Sequence, residues 1–105
     1  MDINVLKALA DERRLAIVNM LADGELCICE LASGLDASDA LVSHHVKKLR
    51  EAGLVRTRRV GQWLHCSLDA DAFALIASEV DTLSGRATQA AQGEGCACST
   101  KADSK

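Results

Sequence analysis

The sequence changes period at Gly53. Before it, apolar residues recur every three or four positions, the repeat of an amphipathic helix. After it, "LVRTRRV" and "WLHCSL" alternate or are rich in strand-forming residues, and Gly61-Gln62 lies between them. That pattern predicts a two-stranded hairpin with charged residues on one strand. "DADAF" then caps a further helix over residues 70 to 89, with Phe73, Ile76, Val80 and Leu83 in 3-4-3 spacing. Helices, then a hairpin, then a helix make a mainly α domain with a small β-hairpin.

Four helices precede the hairpin. Residues 3 to 10, "INVLKALA", put Ile3, Leu6 and Leu9 or Ala10 on one face. Asp11 opens a second helix to about residue 22, with Leu15, Val18, Leu21 and Ala22 as its apolar stripe and Ile17 and Met20 to either side. Asp23-Gly24 stops it. A short third helix covers residues 29 to 35. "DASD" is a tight turn with Asp36 or Ser38 as N-cap, and a fourth helix runs to about residue 52. Proline is absent and alanine plentiful, which favours helix. Aromatics are 2%, Phe73 and Trp63, so Leu, Val, Ile and Ala must build the core.

At 105 residues this is one domain, expected over residues 1–91. Residues 92–105 turn to Gly, Ser, Thr, Ala and Lys, a flexible tail that carries Cys96 and Cys98. The start has neither a positive leader nor a long apolar run, which argues against a signal peptide or a membrane partner. Five cysteines are an odd number for a disulfide framework. Free thiols in a reducing cytoplasm are the simpler expectation, with metal or redox chemistry as their use.

The net charge of −3 argues against a generally basic nucleic-acid binder, but the charge is unevenly spread. From His44 to His65, six Lys and Arg (Lys47, Lys48, Arg50, Arg56, Arg58, Arg59) stand against the single acid Glu51. That segment is +5 and the remainder −8, the footprint of a phosphate-binding patch on an acidic body. On a helical wheel Val42, Val46 and Leu49 share one face of the fourth helix. Ala40, Ser43, His44, Lys47, Lys48 and Glu51 take the other. Small hydrogen-bonding side chains near a helix start suit base edges in a major groove, and Lys or Arg further on suit phosphates. Arg56, Arg58 and Arg59 on the hairpin would straddle backbone or reach a minor groove.

The stretch "LVSHHVKKLREAGLV" followed by "RRVGQWLHCSL" resembles the ArsR/SmtB family of metal-sensing bacterial repressors, and the resemblance covers about residues 5 to 85. It implies a winged helix-turn-helix homodimer that releases its operator on binding metal. On that analogy Ser43 and His44 approach bases, while Lys47 and the wing arginines approach phosphates. His45, at the border of the apolar face, reads as a packed histidine. Ile3, Leu6 and Leu9 with Phe73, Ile76, Val80 and Leu83 exceed what a small core covers, so the first and last helices are expected to form a two-fold dimer interface. The operator is then double-stranded DNA with an imperfect palindrome.

"ELCICEL" poses a geometric problem. Residues two apart on a regular helix point about 200° apart, so Cys27 and Cys29 would not share an ion. The resemblance places "LCICEL" at the start of the third helix, where many members carry a metal-binding CxC. There the first residue is not yet held in helical geometry, and two thiols can converge. Thiolates suit Cd(II), Pb(II), Zn(II) and As(III). Family arsenite sensors often add a cysteine three residues on, where this chain has Ala32. Cadmium and lead sensors often have alanine there and draw further cysteines from an N-terminal extension, which is not expected here. The tail pair Cys96 and Cys98 is therefore expected to complete the ligand set of Cys27 and Cys29. Cys66 reads as a buried thiol in the wing, away from that site. A zinc site across the last helix is not expected, because Asp69, Asp71, Glu79 and Asp81 lack histidine partners.

The expected function is a repressor released by a thiophilic ion of the Cd(II), Pb(II), Zn(II) class, with no organic cofactor. The alternatives are an arsenite or antimonite sensor of the same fold and a thiol-redox-switched repressor. A metallochaperone would leave the basic helix and hairpin unexplained. No CxxC beside a βαβ pattern, nucleotide-binding glycine loop or catalytic triad marks an enzyme.

Overall fold

The structure is a computed structural model and describes residues 2–92. Cys96 and Cys98 lie outside the described residues. The helices are α1 (Ile3–Leu9), α2 (Glu12–Leu21), α3 (Ile28–Leu35), α4 (Asp39–Glu51) and α5 (Ala70–Gln92). The strands are β1 (Leu26–Cys27), β2 (Val55–Val60) and β3 (Trp63–Leu68). The described residues divide after Phe73 into two compact units. Among the described residues no helix is long and apolar enough to cross a membrane.

In the first unit α4 packs on α2 and α3, and the sheet leans on α2, α3 and α4. Ile17, Leu31, Leu49, Leu54, Val42, Val46 and Cys66 are its fully buried side chains. The stripe expected on α4 is the one that is buried. On α2 the stripe is rotated: Ile17, Val18 and Leu21 point inward, while Leu15 is 48% exposed and Ala22 is exposed. This helix contacts α1, α3, α4 and β3, so its buried side is set by several neighbours rather than by one periodic face.

The sheet has three strands in the order β1-β3-β2, one more than the expected hairpin. β1 is two residues long and pairs antiparallel with β3, Leu26 opposite Cys66 and Cys27 opposite His65. At the tip of the β2–β3 hairpin Val60 faces Trp63, and Gly61 takes φ 61°, a left-handed value that glycine adopts without penalty.

The turn from α3 to α4 is tight and fully capped. Asp36 adopts the left-handed conformation at the end of α3, and Ala37 N donates to Ala32 O at 3.0 Å, closing the helix end. Ser38, not Asp36, is the N-cap of α4, its hydroxyl accepting from Leu41 N at 3.1 Å. At Gly34 of α3 a Cβ would meet the terminal methyl of Met20 on α2, and that flexible side chain would have to shift.

Candidate DNA interface and thiol pair

Burial of Val42, Val46 and Leu49 turns the opposite face of α4 to solvent, and Ser43, His44, Lys47 and Lys48 are all exposed on it. Lys47, Lys48 and Arg59 have no carboxylate partner among the described residues. Two of the three hairpin arginines do. Arg56 Nε lies 3.3 Å from Asp69 Oδ2. Arg58 donates to both oxygens of Glu25, from Nε at 2.9 Å and from Nη2 at 2.7 Å. The cationic surface is therefore partly neutralised from within, which the count of charges alone does not show.

His45 is 7% exposed and packed, as expected from its border position. Its Nδ1 lies 3.3 Å from Arg14 Nη1, and Arg14 Nε donates to Ala8 O at 2.6 Å. Burial pushes the imidazole below its ordinary range; Arg14, His44 and Arg13 push the same way, and Asp11 opposes them. A neutral His45 accepts from Arg14 at Nδ1, so Arg14 staples the end of α1 to α4. Sequence reasoning missed Arg14, which lies among several charges of a polar helix start and has no periodicity to mark it.

Cys27 is the N-cap of α3, with φ −85° and ψ 165°, and is not part of the helix. This extended residue turns its side chain back toward Cys29, and the two sulfurs lie 2.6 Å apart as free thiols. Glu30 fixes the cap, its Oε1 accepting from Cys27 N at 2.9 Å, and that bond holds the Glu30 carboxyl below the usual range. Contact with Cys27, then burial, raises the Cys29 thiol. An open recess beside the pair is lined by Cys27, Cys29, Glu30, Trp63 and His65. The donor set of two adjacent thiols fits a thiophilic ion. Among the described residues, no group of three His, Cys, Asp or Glu is arranged to hold one.

Cys66 is not remote from this pair. β1 brings Cys27 beside it, because Leu26 stands opposite Cys66. It is nevertheless wholly buried, and burial, with Cys27 and Glu25 adding, pushes its thiol up to about 11. Cys66 is thus a neutral core thiol at neutral pH. Replacement by Ser puts an unpartnered hydroxyl in the core and is expected to cost about 1–3 kcal/mol of stability. Urea unfolding of Cys66→Ser measures this, and an unchanged midpoint contradicts it.

Residues 11–57 match the family described as bacterial regulatory protein, arsR family. The arsenical resistance operon repressor of Escherichia coli (strain K12) is 44% identical over 80 residues, 75% of this chain and 68% of that protein. The chain belongs to the arsR family. The cadmium resistance transcriptional regulatory protein CadC homolog of Staphylococcus aureus is 39% identical over 66 residues, 62% of this chain and 54% of that protein. The chain thus spans about half the length of that relative. Among solved structures, the homodimeric winged helix-turn-helix DNA-binding domain Mb0332 from Mycobacterium bovis, a possible ArsR-family regulator, superposes with a TM-score of 0.64 at 32% identity. That match covers 75% of this chain and 77% of the other. The winged helix-turn-helix fold follows: α3 and α4 form the helix-turn-helix of this arsR-family chain, and β2 and β3 its wing.

Proposed function

We propose that this chain is a transcriptional repressor that binds operator DNA and releases it when a thiophilic ion bonds Cys27 and Cys29. The observation that carries the reading is the position of the thiol pair. It sits at the start of α3, and α3 leads through one capped turn into the exposed basic face of α4. Ser43 and His44 lie toward the N-terminal half of that face and suit base edges. Lys47, Lys48 and the wing arginines suit phosphates. A change in how α3 begins then bears directly on how α4 is presented.

Dimerisation through α1 and α5 accompanies this reading. Ile3 is 59% exposed, and Val80 and Leu83 are about half exposed, so apolar surface remains on both helices. Mb0332 is a homodimer. A two-fold dimer reads an imperfect palindrome with half-sites about 34 Å apart.

The ion is of the Cd(II), Pb(II), Zn(II) class, with Ala32 in place of a third helix cysteine and with Cys96 and Cys98 as the remaining donors. Arsenite is the second reading, favoured by the name of the Escherichia coli relative; three sulfurs from Cys27, Cys29 and one tail cysteine would suit it. Titration of the operator complex with Cd(II) and with arsenite, under full reductant, separates the two. Release on oxidation alone would instead support a redox switch.

The DNA face has its own test. Lys47→Ala is expected to weaken operator binding and to lower the log–log salt slope by about one unit. Arg58→Ala is expected to cost less, because Arg58 must leave Glu25 to reach a phosphate. Filter binding across a salt series reads both, and wild-type affinity and slope in Lys47→Ala would remove α4 from the interface.

A further inference from the structure

The register of the sheet sets three residues in one row. Cys27 on β1 stands opposite His65 on β3, and His65 stands opposite Arg58 on β2. Opposed residues of an antiparallel ladder carry their side chains on one face. The row therefore runs from the thiol pair to the wing. Glu25, two residues ahead of Cys27, closes it. Its carboxylate takes the Arg58 guanidinium at both oxygens, and its Oε1 lies 3.7 Å from His65 Nδ1. The pairing is bidentate, the form in which a guanidinium also takes a phosphate. The Arg58 side chain is 62% exposed, so a phosphate can reach it.

We infer that Glu25 is a positioning residue that competes with DNA phosphate for Arg58 and carries the state of Cys27 and Cys29 to the wing, an inference that rests on the repressor reading above. The two states are Arg58 clasped by Glu25 and Arg58 on a phosphate. DNA favours the second. An ion on the thiol pair favours the first. An ion that bonds both sulfurs would tie Cys27 to Cys29. Such bonds fix Cys27, and with it the strand end that bears Glu25. One element with two arrangements, biased by both ligands, is what coupling between two sites requires.

The test is a double-mutant cycle on the full chain, with a duplex that the wild-type protein selects from a random pool. Glu25→Gln keeps the side-chain size and removes the charge at an exposed position. It is expected to tighten binding about threefold to fivefold and to steepen the salt slope by up to about one unit. In an Arg58→Ala background the same change should alter affinity by less than about 1.5-fold. Cd(II) chloride and sodium arsenite then serve as probes of coupling. The ratio of affinities without and with the effective ion should fall in Glu25→Gln, because the tightening is larger with the ion bound, when the clasp is favoured, than without it. No tightening, or equal tightening with Arg58 absent, overturns the competition and leaves only the general field of a lost carboxylate. A wild type released by an ion, with Glu25→Gln released to the same extent, overturns the coupling alone. A wild type released by neither ion overturns the sensor reading and the coupling with it, while the metal-free cycle still decides the competition.

Discussion

Replacing Cys27 and Cys29 together by Ser is expected to leave operator affinity within about twofold and to abolish release by the ion. The fold tolerates the change for a local reason. Cys27 is an N-cap in extended geometry, and Ser is among the best residues at such a position. Glu30 still accepts from the backbone N of residue 27, because that bond uses no sulfur. The chemistry does not survive. A hydroxyl stays protonated at neutral pH and is a poor partner for a soft ion, so both donors are lost while their sites are filled. Replacing Cys96 and Cys98 by Ser should blunt release less: they add donors, but ordering a chain segment costs about 1–2 kcal/mol per fixed residue. Titration of each operator complex with Cd(II) and with arsenite, in reductant, reads both variants. Release of the Cys27/Cys29 double mutant at wild-type ion concentrations would sink the assignment of these thiols.

What the sequence revealed of this arrangement depended on the length of each signal. α4 was legible because Val42, Val46 and Leu49 repeat over thirteen residues against a solvent face of opposite character. The wing was legible because a glycine turn separates two six-residue strands. β1 was not, since two residues give no periodicity, and its pairing depends on β3 almost forty positions later. That short strand also decides what sequence reasoning misplaced. It draws Cys66 next to Cys27, and it brings Glu25 within reach of Arg58. The convergence of Cys27 and Cys29 was legible in principle, from the freedom of a residue just outside a helix. Its realisation rests on Glu30, whose carboxylate fixes the cap from inside the first turn. The rotated stripe on α2 reflects burial by several neighbours at once, which no single helical face encodes.

Leu49→Ala is expected to remove about 2–5 kcal/mol of stability, from a domain whose total is of the order of 5–15 kcal/mol. Leu49 has no solvent exposure and stands with Val42 and Val46 on the stripe that fixes α4 against α2 and α3. Its carbonyl also accepts from Leu54 N at 3.0 Å, where the chain leaves α4 for the wing. Truncation leaves a cavity beneath the exposed face of α4, and the packing of α4 on α2 and α3 limits its collapse. Lys48→Ala, one residue away on the exposed face, should change stability by no more than about 0.5 kcal/mol. Urea unfolding at fixed protein concentration compares them, since dimerisation would make the midpoint concentration-dependent. The two variants should also part on DNA. Leu49→Ala removes no phosphate contact, so any loss of operator affinity comes from a looser α4 and leaves the salt slope unchanged. Lys48→Ala should lower that slope if its ammonium meets a phosphate. Equal midpoints for the two variants would mean that Leu49 does not anchor α4, and a reduced slope in Leu49→Ala would mean that the helix reorients its cations when its anchor is cut.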